Sequence, residues 1–264
     1  MAVQPLSVKL PIYNAERFLA ECIRSIQGQT FGDFEVIAVL DGCSDRSEEI
    51  LMDLKDERFH VIKHETNLGV VTALNEAIAL ARAPLIARMD ADDIMLPERL
   101  KKQVEFMTAY PEVAMLGTWF DTINESGSIV KKSFPFPTDH DEIKRAFRRY
   151  NVIGGPTMCM RVEPIRAIGG YAAEMPYADD LTLSLQCLAA GYRFANLPEV
   201  LLHYRISRGQ LMERRREETF RMTNRAYAKY GPLIWGDDAP EYELGAPLHR
   251  RIMKKLRRLA RGKR

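Results

Sequence analysis

Two apolar patterns alternate along the first third of the chain. Residues 6–12 (Leu-Ser-Val-Lys-Leu-Pro-Ile), 34–40, 59–63 and 83–87 are short runs dominated by apolar side chains, the mark of strands covered on both faces. Between them apolar residues recur every three or four positions, as along one side of a helix. One such set is Phe18, Leu19, Cys22, Ile23 and Ile26, and another is Val70, Val71, Leu74, Ala77, Ile78 and Ala81. A third helix runs to about Leu54, with Ser44 or Asp45 placed to cap it. Strand, helix, strand, helix, repeated up to Asp90, predicts an α/β fold with a mostly parallel sheet and helices on both faces.

The second half is less regular. Its pattern predicts a helix over 97–109, a strand over 113–117 and a hairpin over 120–130 that turns at Glu125-Ser126-Gly127. A basic helix follows over 139–150, then a strand over 157–160 introduced by Gly154-Gly155-Pro156. Gly169-Gly170-Tyr171 ends a short helix, and Asp179-Asp180 opens another that runs to about Ala189. Strands over 192–196 and 200–206 and a long helix over 211–230 complete the order.

Composition narrows the class. At 264 residues and 46% hydrophobic, the chain can bury one sizeable core, one domain with an appendage. Its 38 basic residues nearly balance 36 acidic ones, so no global field points to nucleic acid. The four cysteines, Cys22, Cys43, Cys159 and Cys187, lie far apart and form no Cys-x-x-Cys pair, which fits a reducing cytoplasm. No signal-peptide pattern opens the chain and no run approaches the length of a membrane span, so a soluble or peripherally attached protein is expected.

The chemistry concentrates in Arg88-Met89-Asp90-Ala91-Asp92-Asp93. In open α/β sheets ligands bind beyond the carboxyl ends of the strands. Pro11, Tyr13 and Asn14, the pair Asp41-Gly42, and Asp90 to Asp93 all fall at such ends. Three carboxylates in four residues need positive charge among them, and a hard divalent cation would supply it while holding a phosphate-bearing substrate. The plainer alternative is a polar loop in which Asp93 caps the helix announced by Pro97-Glu98-Arg99-Leu100. No Gly-x-Gly-x-x-Gly and no Walker loop follows the first strand, which argues against a dinucleotide oxidoreductase or a P-loop kinase.

Taken together, these motifs resemble those of bacterial family 2 glycosyltransferases over roughly residues 6 to 206. The resemblance rests on Pro11-Ile12-Tyr13-Asn14, Gln29-Thr30, Asp41-Gly42 with Asp45, Asn67 with Gly69, Asn75, Arg88 to Asp93 and Pro97-Glu98-Arg99-Leu100. Gly169-Gly170-Tyr171, Asp179-Asp180, Gly191, Pro198 and Tyr204-Arg205 extend it. It implies a GT-A, Rossmann-like fold and inverting, metal-dependent transfer of a sugar from a nucleotide diphosphate. By the same resemblance, Pro11, Tyr13, Asn14, Asp41, Asn67, Asp90 and Arg205 bind the nucleotide. Tyr13 packs on the base, Asp41 accepts from uracil, and Arg205 faces the diphosphate unless it is a surface ion pair. Asp92 with Asp90 holds Mn²⁺ or Mg²⁺. Asp180 is the general base, the alternative being helix capping.

Three positions depart from the family pattern. Leu40 stands where an acid is common, Ser207 replaces a histidine near the metal, and Gly155-Pro156 replaces His-Pro. His203 is a candidate substitute near the metal, or a structural histidine.

The expected organisation is a GT-A domain over 1–206, with a nucleotide-sugar half (1–95) and an acceptor half (96–206). A C-terminal helical extension over 207–264 follows. The expected partners are a nucleotide-sugar donor, in its UDP form by the resemblance at Asp41, and a glycan or lipid-linked acceptor of cell-surface polysaccharide synthesis, with no nucleic acid. From Leu244 to Arg264, the apolar Leu244, Leu248, Ile252, Leu256 and Leu259 form one helical stripe amid lysines and arginines, with no acid between. That tail is expected either to lie on an anionic membrane surface, placing a cytoplasmic enzyme on the inner membrane face, or to pack on protein. A nucleotidyltransferase and a non-catalytic nucleotide-binding scaffold are the rival functions.

Overall fold

The computed structural model describes residues 4–133, 135–207 and 215–239. Its first half is β1 (Leu6–Ile12), α1 (Leu19–Gln27), β2 (Phe34–Asp41), α2 (Ser47–Leu54), β3 (Phe59–His64), α3 (Val70–Leu80) and β4 (Leu85–Arg88). The four strands run parallel in the order β3-β2-β1-β4. Alternation along each strand feeds two cores. Leu6, Val8, Leu10, Val36 and Ala38 pack with Leu19, Ile23 and Leu51 on the α1–α2 side. Ile37 and Val39 pack with Val71, Leu74 and Ile78 of α3 on the other. Cover on both faces is why β1, β2 and β4 are dominated by apolar residues.

The second half holds β5 (Ile94–Met95), α4 (Arg99–Ala109), β6 (Val113–Ile123), β7 (Ile129–Lys131), α5 (His140–Phe147) and β8 (Cys159–Arg161). It continues with α6 (Val162–Ala167), α7 (Asp179–Ala189), β9 (Arg193–Arg205) and α8 (Arg216–Trp235). The same sheet runs on as β4-β8-β6-β9-β5, with β7 on β6. Here pairing is mixed: β8 is antiparallel to both β4 and β6, and β9 is parallel to β6. One sheet therefore spans residues 6–205.

Several sequence expectations are adjusted. The strand expected over 113–117 extends to Ile123, and the two strands over 192–206 are one, interrupted by a bulge. Leu197 still pairs with Thr118 and Val200 with Trp119, so Pro198 and Glu199 form the bulge, as expected where Pro198 has no N–H to give a ladder. The strand expected over 157–160 becomes a 3₁₀ turn (Gly155–Thr157) followed by β8. Asp93 does not cap α4; residues 94–95 pair with β9 instead, and Asp93 Oδ1 accepts the Arg205 backbone N–H at 2.8 Å. Asp139 does cap α5, accepting from the backbone N–H of Asp141 and Glu142. The long helix is α8 over 216–235; the expected start over 211–214 and the basic tail over 244–264 lie outside the described residues. No helix among the described residues is long and apolar enough to cross a membrane.

Candidate active site

The parallel strands β1 to β4 deliver their carboxyl ends to one edge. Just past β1, Tyr13 stands 53% exposed, a large aromatic presented at a strand end. Asn14 adopts a left-handed conformation (φ 47°), and its Oδ1 accepts the Ser44 backbone N–H at 2.9 Å, tying the loop after β1 to the loop after β2. Gly42 (φ 65°) lies against the backbone of Thr66 and Asn67 so closely that any Cβ would collide with it. Asn67 is exposed on that loop, and Pro11 remains within β1 opposite Val39.

Asp41 ends β2 as a buried carboxylate. Its Oδ1 accepts the Leu68 N–H at 2.8 Å and its Oδ2 the Gly69 N–H at 2.9 Å. His64 Nδ1 lies 2.8 Å from Oδ1, and its Nε2 lies 2.6 Å from Glu76 on α3. The Asp41 bond, with help from Glu76, raises the His64 pKa against the opposing effect of burial. In this arrangement Asp41 holds the loop over 64–69, and both its oxygens are engaged by protein.

The acidic residues gather around one guanidinium. Arg88, at the end of β4, gives its Nε to Asp90 Oδ1 at 2.8 Å and its Nη1 to Asp179 Oδ2 at 2.6 Å. The Arg88 side chain is 8% exposed, those of Asp90 and Asp179 26% and 13%, so the bridge sits at the floor of the opening. Burial opposes its charge, but Asp90 and Asp179 hold its pKa well above the ordinary value. Beside it, Asp180 is half-buried, with Oδ2 accepting from Asn151 Nδ2 at 3.0 Å. Burial, then the charge of Asp179, pushes the Asp180 carboxyl up to about 6. Gly155 makes this approach fit: a Cβ there would lie 3.2 Å from both Arg88 Nη1 and the Asp180 Cβ. A side chain at that place would require Arg88 or Asp180 to give way by a few tenths of an ångström.

The acid loop after β4 carries excess negative charge. Asp93 is buried, its Oδ2 has no hydrogen-bond partner, and burial together with Asp92 and Asp90 pushes its pKa well up. Among the described residues no three acid, histidine or cysteine side chains form a ready-made metal cage. Asp90 and the half-buried Asp92 are hard oxygen donors in an acid-rich loop, a set that fits a divalent ion completing its shell with substrate phosphates and water.

Arg205 is placed differently from the expectation. Its side chain is 1% exposed, and it donates to the backbone oxygens of Asp92 at 2.7 Å and Asn124 at 3.1 Å, and to Glu21. Besides this ion pair with the half-exposed Glu21, it braces the acid loop after β4 from beneath, because the short pairing of β5 with β9 brings that loop over the end of β9. His203 lies opposite Ile94 in the same pairing. Four contributors carry no role in the sequence reading. Asn151 is 29 positions from Asp180, with no local signal. Arg88 and Tyr171 were quoted as motif residues only. Lys9, a lone cation inside an apolar strand run, was the one visible hint. It is fully buried, gives Nζ to Tyr171 Oη at 2.8 Å, and is held well below the usual lysine range by burial and then by Arg88.

Comparison with known proteins gives the family and the fold. The family model described as Glycosyl transferase family 2 matches residues 7–169. The amylovoran biosynthesis glycosyltransferase AmsE of Erwinia amylovora is 30% identical over 213 residues, 79% of each chain. Among solved structures, TarS 1-349 of S. aureus in complex with UDP-GlcNAc superposes with a TM-score of 0.71 at 21% identity, covering 85% of this chain and 66% of that one. The mannosyltransferase PcManGT of Pyrobaculum calidifontis, in complex with GDP-Man and Mn²⁺, gives 0.65 at 19% identity, covering 87% and 64%. At such identities the two structures speak for the fold.

Proposed function

The chain belongs to glycosyl transferase family 2, and from that premise we propose that it is an inverting enzyme moving a sugar from a UDP-linked donor to a hydroxyl of a glycan or lipid-linked acceptor in cell-surface polysaccharide synthesis. The observation that carries this reading is Asp180. A half-buried carboxyl with a pKa of about 6 is ionised at neutral pH yet basic enough to take a proton from an attacking hydroxyl. It stands on the other side of Arg88 from the acid loop, which separates proton removal from leaving-group binding.

In this mechanism Asp180 accepts the acceptor's proton while Asn151 orients its carboxylate. Attack opposite the diphosphate inverts the anomeric centre, and no sugar–enzyme bond forms. Tyr13 offers a face for the base, with Pro11, Asn14 and Asn67 around it. Asp41 shapes that pocket through the loop it holds, and Arg205 keeps the acid loop in place from below. A divalent ion, Mn²⁺ or Mg²⁺, held by Asp92 with Asp90, would supply positive charge for the departing diphosphate. UDP is favoured as carrier by the fold shared with TarS bound to UDP-GlcNAc, and Mn²⁺ by the fold shared with PcManGT bound to Mn²⁺. The basic stripe over 244–264 is proposed as a reversible anchor to an anionic membrane face, each cation contributing about 1 kcal/mol.

A thermal-shift screen of nucleotide sugars with and without Mn²⁺, followed by donor hydrolysis, tests the reading. Stabilisation by UDP-sugars that requires metal, with slow UDP release, is the expected result. Nucleoside triphosphate turnover without sugar transfer would instead identify a nucleotidyltransferase, and metal-dependent binding without any turnover a scaffold.

A further inference from the structure

A buried polar chain lies behind the acid cluster and has no part in the mechanism above. Lys9, in β1, stands beside Arg88 of β4 in the parallel register. Its ammonium lies 2.8 Å from Tyr171 Oη and 4.3 Å from the centre of that ring. Tyr171 Oη lies near enough to Arg88 for the two groups to act on each other's charge. The tyrosine cannot wander: Asn75 Nδ2 donates to its backbone oxygen at 2.8 Å, and its N–H returns a bond to Asn75 Oδ1 at 2.8 Å. A guanidinium shared by two carboxylates alone is free to slide toward either. Here the Lys9–Tyr171 pair stands behind it, and the Gly155 backbone closes one side.

We infer that Lys9 and Tyr171 are positioning residues for the transfer, fixing Arg88 as the bridge between Asp90 and Asp179 and so setting where the base Asp180 stands relative to the diphosphate. The inference rests on the function proposed above and adds residues that touch neither substrate nor metal. Arg88 comes from the donor side of the site and Asp179 from the helix that carries the base. Any looseness in the bridge becomes misplacement of Asp180 against the reacting sugar.

The experiment uses full-length protein with Tyr171→Phe, Lys9→Met and the double variant. Both replacements keep side-chain volume and remove only polar contacts. The first readout is the Nε–H resonance of Arg88 in ¹⁵N-arginine-labelled protein, identified by its loss in Arg88→Lys. It should be sharp in the wild type and broadened or shifted in each variant. The second is nucleotide-sugar hydrolysis. Turnover should fall about 10- to 100-fold, with KM within about twofold and one UDP still bound per chain, as for a misplaced catalytic group. Because Lys9 and Tyr171 act through one bond, the double variant should lose no more than the worse single variant. An unchanged Arg88 resonance in Tyr171→Phe overturns the inference, and so do losses that multiply in the double variant or merely track lost binding sites. A wild type that turns over no donor overturns the function reading and the catalytic half of this inference with it, while the resonance separately decides the bridge.

Discussion

Replacing Asp180 by asparagine should make the protein more stable and almost inactive, and the gain in stability should depend on pH. In the folded chain this carboxyl titrates near 6, against 3.8 for an ordinary aspartate. A folded-state pKa above the unfolded one means that the protonated form is favoured by folding. The contribution is therefore fully present below about pH 4 and is lost as pH rises through about 6. The difference of roughly 2 pH units corresponds to about 3 kcal/mol, an upper figure because Asp179 is coupled to it. The amide keeps an acceptor for Asn151 but places a donor toward the Leu181 N–H, returning about 1 kcal/mol. Asp180→Asn should thus exceed the wild type by about 1 to 2 kcal/mol at pH 7 and lie level with it or about 1 kcal/mol below it at pH 4. Urea titrations of both proteins from pH 4 to pH 8 measure this gap directly. Hydrolysis by the variant at pH 7 should be lower by about 10² to 10⁴-fold, as for a lost general base. In the wild type, kcat/KM should rise with pH through a midpoint near 6. A stability gap equal at pH 4 and pH 7, or turnover within a fewfold of wild type, refutes the assignment of Asp180 as a burial-tuned base.

Other substitutions probe the donor side. Asp92→Asn should abolish metal-dependent UDP binding, which calorimetry with and without EDTA checks; equally tight binding in EDTA would remove Asp92 from the metal site. Asp41→Asn sets an amide donor against the N–H groups of Leu68 and Gly69 and should cost about 1 to 3 kcal/mol by urea denaturation, with an unchanged midpoint counting against its role as loop holder. Gly42→Ala should be destabilised by about 1 to 3 kcal/mol and bind UDP more weakly, since both the positive φ and the contact with the 66–67 backbone forbid a Cβ; a wild-type melting curve would show that the loop simply moves aside. Removing residues 240–264 should abolish sedimentation with anionic liposomes at low salt, and equal sedimentation of both forms would exclude the tail as an anchor.

The first half of the fold was legible because its strands are covered on both faces and leave unbroken apolar runs between amphipathic helices. The second half was harder to divide. Pro198 splits one strand of the sequence pattern into two, although in space the ladder only bulges. Residues 94–95 are too short a strand to leave any pattern, yet their pairing decides the place of Arg205. A Tyr-Arg pair at a strand end looks the same whether the guanidinium meets phosphate or backbone carbonyls. The positions of Asp90 and Asp92 at one edge followed from strand order, while Asp180 came from the family resemblance alone; the partners that tune them, Asn151, Gly155 and Lys9, come together only through tertiary packing.

Because β8 runs against β4, the chain begins a strand at the place where its neighbours end theirs. The stretch over 151–157 thus enters the site before it joins the sheet, while the donor-side loops leave the sheet to reach it. The two sides of the opening come from separate lengths of chain, clasped by one arginine. This sets a rule for hybrids between relatives. Any recombinant that keeps residues 1–95 of this chain and borrows the remainder carries the Arg88 guanidinium with it. Its borrowed part must offer an acid at 179, or the hybrid buries a charge without its partner.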